Sequence, residues 1–135
     1  MIVVDTSAWI ELIRETGSAV HARLRSALAA REPLAVTELV VGEMLAGAAT
    51  PGAVQELRRM LLSFPVLALG GLAGFEQAAQ LARTCAGAGE SLRRGLGDCL
   101  IAVPAIRAGA PILHRDRDFT VLARHTALEV VPLDV

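Results

Sequence analysis

Short, unbroken apolar runs alternate along this chain with longer stretches of helical spacing, and that alternation limits the folds open to it. Met1-Ile2-Val3-Val4 is apolar throughout, as in a strand buried on both faces. Further strands are expected at 34–36, 65–69, 111–114 and 129–133. Between them apolar residues recur every three or four positions, and helices are expected near 7–14, 18–31, 38–48, 51–62, 72–86, 97–108 and 119–124. Strands separated by helices imply an α/β fold with a mostly parallel sheet covered on both sides. The 135 residues fit one domain, 1–135, with no linker, repeat or low-complexity tract. With one Trp, three Phe and no Tyr, its core must be built from Leu, Val, Ile and Ala.

Several function classes fall away. The formal net charge is −1, so bulk charge does not point to non-specific nucleic-acid binding. All 13 basic side chains are Arg. Arg forks suit phosphate and carboxylate partners, although a uniform Arg bias also follows from genomic base composition. Cys85 and Cys99 form no CxxC pair and read as buried thiols of a reducing compartment. Asp5 ends the N-terminal apolar run too early for a signal peptide. The most apolar stretch, 61–75, is broken by Pro65, Gly70, Gly71 and Gly74 and does not suit a membrane span. A soluble, cytoplasmic protein is expected.

The placement of the acids is more informative. Asp5 directly follows the first strand, Asp116 and Asp118 follow the fourth, and Asp98 opens a helix. Ligands of open α/β sheets bind beyond the carboxyl ends of the strands, so Asp5 and the Asp116/Asp118 pair are expected on one rim. Asp98 shares a helical face with Ile101, Ala102 and Ala105, and Glu43 shares one with Leu39 and Ala46. Acids on inward faces repel one another unless a cation joins them. Oxygen-only ligation suits Mg²⁺ or Mn²⁺, and no Cys/His cluster suggests zinc. Each acid also has a plainer reading: Asp5, Asp98 and Asp118 as helix caps, Glu43 and Asp116 as solvated surface groups.

Four segments carry a resemblance. Val3-Val4-Asp5-Thr6-Ser7-Ala8-Trp9-Ile10 resembles the opening of PIN domains, especially VapC-type toxins. The stretch from Val36-Thr37 through Val41-Gly42-Glu43-Met44-Leu45-Ala46-Gly47 resembles the second acidic motif of that family. Gly97-Asp98-Cys99-Leu100-Ile101-Ala102 resembles the third, and Leu113-His114-Arg115-Asp116-Arg117-Asp118-Phe119 the fourth. They occur in family order across essentially the whole chain.

The resemblance implies a three-layer α/β/α fold and a Mg²⁺- or Mn²⁺-dependent endoribonuclease leaving a 5′-phosphate and a 3′-hydroxyl. It makes Asp5, Glu43, Asp98 and Asp116 the metal-binding, catalytic acids, with Asp118 as an extra acid near the metal. Thr6 or Ser7 would orient a carboxylate. It further implies a toxin that cleaves RNA such as tRNA or rRNA loops, forms a homodimer and is held inactive by a VapB-type antitoxin. Arg93, Arg94, Arg115 and Arg117 are candidate phosphate contacts. His114 stands where many members carry Thr or Ser; it either contacts RNA or fills the strand end. Pro104 is unusual in its helix and is expected to kink it or to remove one backbone bond. The apolar stripes near 20–28 and 54–62 are expected to serve mostly the core, with any excess serving a dimer seam or an antitoxin groove.

Two rivals are phosphoryl-transfer domains. A receiver-type site wants a Lys, which this chain lacks, and a dehalogenase-type site wants DxD where Asp5-Thr6-Ser7 stands. A third is a non-catalytic PIN-like module that binds RNA or protein, against which the presence of all four acids argues.

Overall fold

Ile2–Val4 forms strand β1, and all three residues are buried, as an apolar run with no polar face requires. The computed structural model describes residues 1–133. It adds β2 (Leu34–Thr37), β3 (Val66–Leu67) and β4 (Ile112–Leu113). All pairings are parallel and the order across the sheet is β3-β2-β1-β4. Val3 pairs with Ala35 on one side and Ile112 on the other, and Val4 pairs with Leu113.

Among the described residues six helices connect the strands, α1 (Thr6–Ile13), α2 (Ala19–Ala29), α3 (Glu38–Ala46), α4 (Pro51–Leu61), α5 (Gly71–Gly87) and α6 (Gly97–Ala108), and α7 (Arg117–His125) follows β4. The chain steps from β1 to β2 to β3 in one direction, then crosses back to β4 beyond β1. Right-handed crossovers therefore put α1–α4 on one face and α5–α6 on the other. The packing agrees: α1 lies on α2 and α3, α3 on α4, and α5 on α6 and α7. This is the expected three-layer α/β/α arrangement. No described helix is long and apolar enough to cross a membrane.

Two expectations need correction. Residues 129–133 do not form a strand: Val130 makes only an isolated parallel bridge to Ile112, through the Ile112 and Val131 amides. A strand there would need a longer β4 to pair with, and β4 has two residues. The inward face of α3 is also rotated from the one expected. The helix buries Val40 and Met44, while Ala46 is exposed and Leu39 and Glu43 are half-buried. Glu43 therefore sits on the flank of its helix, one position round from the core.

Pro104 lies buried inside α6, and the helix continues through it to Ala108. Only the bond that a residue-104 amide would give the Leu100 carbonyl is forgone. Gly109 then ends α6 at φ 64°, a backbone conformation suited to glycine.

The tightest backbone approach is at Gly74, where a Cβ would lie 2.1 Å from the Leu69 carbonyl oxygen. Gly74→Ala is expected to lower unfolding stability by about 1–3 kcal/mol. Gly42, in α3, faces open space, and Gly42→Ala is expected to raise stability by about 0.5–1 kcal/mol. Urea unfolding of both variants checks the pair, and equal effects would contradict the packing described.

Candidate metal centre

The sheet order makes the gap between β1 and β4 the point where the chain reverses direction, and the acids collect beyond its carboxyl end. The Asp5 amide donates to the Leu113 carbonyl at 3.0 Å, so the residue after β1 is fixed beside the loop after β4. Asp5 Oδ2 then accepts the Ser7 amide at 2.9 Å and the Ser7 hydroxyl at 2.5 Å, capping α1. Ser7 Oγ also accepts the Arg115 amide at 2.9 Å, tying the β4 loop to the start of α1.

Asp116 caps α7 in the same way, through Oδ1 to the Asp118 amide at 2.9 Å. The capping and ligand readings of Asp5 and Asp116 are thus compatible, because each cap engages one oxygen and leaves the other. Asp98 is not a cap. It occupies the first turn of α6, fully buried, on the face with Ile101, Ala102 and Ala105. Glu43 reaches in from α3, and the Thr6 hydroxyl donates to its Oε1 at 2.8 Å. Both hydroxyls read as orienting groups hold carboxylates, Thr6 that of Glu43 and Ser7 that of Asp5.

Asp118 is fully buried and lies within the group, since Asp98, Asp116 and Asp118 each offer an oxygen within 4.8 Å of the others. It is engaged differently, however. Its Oδ1 accepts the Arg93 amide at 2.9 Å and its Oδ2 the Arg94 amide at 2.8 Å.

The expected phosphate contacts separate. Arg93 and Arg117 are exposed. Arg115 is exposed too, but its guanidinium pairs with Glu11, an acid the sequence did not single out. Arg94 turns inward, meeting Glu43 at 2.9 Å, Asp98 at 3.3 Å and Asp116 at 3.5 Å. The clue in the sequence was the four-residue spacing of Arg94 and Asp98 across the start of α6. His114 fills the strand end: its Nδ1 accepts the Asp116 amide at 3.0 Å and its ring packs on Phe119 with centroids 5.2 Å apart. Burial lowers its pKa against the opposing pull of Asp116, so the ring is neutral.

Burial raises the Asp5 pKa, with the Ser7 hydrogen bonds opposing. Burial, followed by the charge of Asp116, pushes Asp98 up to about 8, with Arg94 opposing. Burial would lower the Arg94 pKa, but Asp98, Glu43 and Asp116 outweigh it and hold the guanidinium charged.

Asp5 Oδ1 and Asp98 Oδ2 are buried and accept no hydrogen bond. Orphaned carboxylate oxygens are strongly unfavourable. Two of them in one all-oxygen donor set fit a hard divalent cation such as Mg²⁺ or Mn²⁺.

Residues 2–125 match the family model described as PIN domain. The chain belongs to the PIN-domain family. Over 132 residues it is 42% identical to Ribonuclease VapC11 of Mycobacterium tuberculosis, covering 96% of each protein. The VapC ribonuclease Mb1587 of Mycobacterium bovis matches at the same 42% identity and 96% coverage of each. Among solved structures, VapBC2 from Rickettsia felis, bound to a DNA fragment from its promoter, shares the fold. Its TM-score is 0.71 at 19% identity, covering 99% of this chain and 100% of that one.

A carboxyl whose pKa is raised by folding contributes stability that is full below its unfolded pKa, is lost as pH rises from there to its folded value, and levels off above it. Without metal, the protein is expected to lose thermal stability between pH 7 and 8, where His114 is already neutral. Asp98→Asn should flatten that slope. Melting temperatures in chelator across this range check it, and an unchanged slope in the variant would refute the assignment to Asp98.

Proposed function

We propose that this chain is a Mg²⁺- or Mn²⁺-dependent endoribonuclease, the toxin of a VapBC-type pair, acting in the cytoplasm as a single PIN domain. The observation that carries the reading is the gathering of Glu43, Asp98 and Asp116 around Arg94, with buried oxygens of Asp5 and Asp98 left unpartnered. The 42% identity to VapC ribonucleases supplies the activity class.

Asp5, Glu43, Asp98 and Asp116 would hold the ion. Once bound, it would neutralise charge on a phosphoryl oxygen and lower the pKa of water. The chain's own residues do the rest. Ser7 and Thr6 fix the rotamers of Asp5 and Glu43, so the donor set is organised before substrate arrives. Asp98 is itself held away from bulk water, buried in the first turn of α6 beside Cys99, Ile101 and Ala102. The acids alone would repel RNA. Exposed Arg93 and Arg117 offer phosphate contacts that would offset this, and the expected substrate is a splayed loop of tRNA or rRNA.

The antitoxin reading has a surface to rest on. A cavity of about 400 Å³ between α1, α3 and α4 begins at Thr6 and Glu43 and runs along Ile10, Ile13, Met44 and Leu57. An apolar antitoxin segment lying there would reach the acids with its next residue. Exposed Leu72 and Phe75 on α5 support a homodimer.

Purified, antitoxin-free protein incubated with total tRNA and rRNA is expected to give discrete products with Mg²⁺. It should give none with excess chelator or with Asp98→Asn, a loss of at least about 100-fold. A folded, Mg²⁺-binding protein that binds RNA and leaves it intact would replace this reading with that of a binding module.

A further inference from the structure

We propose that Arg94 is a built-in counter-cation of the acid cluster, that a divalent ion must displace it to bind, and that Asp118 is the positioning residue holding it in place. This rests on the reading of the cluster as a cation site.

One guanidinium spans acids from three elements: Glu43 on α3, Asp98 on α6 and Asp116 ahead of α7, at 2.9, 3.3 and 3.5 Å. Its planar fork is suited to bridging carboxylates whose negative charges would otherwise face one another. The backbone from which it projects is fixed. Asp118, fully buried, accepts the Arg93 and Arg94 amides with its two oxygens, so the segment before α6 is clamped with Arg94 beside the cluster. Those two hydrogen bonds also distinguish Asp118 from Asp5 and Asp98, which each keep an oxygen without a partner.

The guanidinium meets three carboxyl groups and leaves Asp5 Oδ1 and Asp98 Oδ2 without a partner. A small divalent ion among the same oxygens would lie within a few ångströms of the guanidinium, and the two cations would repel. Arg94 can leave without disturbing the core, because its side chain is 45% exposed and opens to solvent. Metal and Arg94 therefore compete for Glu43, Asp98 and Asp116, and apparent metal affinity falls by the fraction of molecules in which Arg94 is docked.

Mn²⁺ binding, measured by calorimetry and by the electron paramagnetic resonance of free Mn²⁺, tests this on the full chain without any RNA. Arg94→Ala is expected to bind Mn²⁺ about tenfold tighter than the unaltered protein. Asp118→Asn, which loosens the clamp and leaves the four acids intact, is expected to bind it several-fold tighter. Arg94→Ala binding with unchanged or lower affinity would overturn the competition. A folded Asp118→Asn that binds Mn²⁺ more weakly would make Asp118 a ligand and overturn its positioning role.

Should either variant fail to fold, the unaltered protein decides the matter. The Arg94 Nε–H signal in ¹⁵N NMR must shift to a solvent-exposed value as Mg²⁺ saturates, and a signal that stays put refutes the proposal. Metal-dependent RNA cleavage alongside an unchanged Arg94→Ala affinity would sink this inference and leave the ribonuclease reading standing. Absence of Mn²⁺ binding in every form would sink both.

Discussion

Everything at the candidate site depends on the parallel pairing of β1 with β4. Two residue pairs and the Asp5 amide on the Leu113 carbonyl fix the ends of these strands side by side. Once they are fixed, the residue following each strand has little freedom. Asp5 caps α1 and Asp116 caps α7, each through its own side chain. The carboxylates that cap those helices are thereby gathered where the chain reverses direction. Asp98 and Glu43 enter from opposite helix layers, and the group they complete is one that electrostatics alone would disperse. Capping bonds, the hydroxyls of Thr6 and Ser7, and the Arg94 guanidinium hold it together.

The helices and the first four strands were legible from spacing because the chain punctuates itself clearly. Thr37, Thr50 and Ser18 stand at the N-caps they suit, Pro51 opens α4, and Gly109 closes α6. The end of the sheet was not legible. A short apolar run at 129–133 reads like a strand in isolation, and only the two-residue length of β4 limits it to one bridge. The face of α3 was misread for a related reason. Leu39, Val40, Met44 and Leu45 are apolar on more than one side, so periodicity could not select the side that meets the sheet.

Of the site, the acids were readable because strand ends and a helix start constrain where such residues can go. What escaped was the pairing. Rim arginines look alike in a sequence, yet Arg94 lies among the acids, Arg115 is tied to Glu11, and Arg93 and Arg117 face solvent. Asp118 likewise reads as a cap or a ligand, and the sequence does not show that its oxygens also meet amides some two dozen residues earlier in the chain. Such long-range backbone contacts leave no local periodicity to detect.

The division of the cluster between the two helix layers bears on the order in which the chain becomes capable of chemistry. Asp5 and Glu43 belong to the layer made first, Asp98 and Asp116 to the part made last. A nascent chain that has folded through α4 has an outer strand where β4 will later add, and only half of its carboxylates. The acid cluster is complete only once β4 lies against β1. On the ribonuclease reading, the chain would lack its full set of acids until its last third had been made.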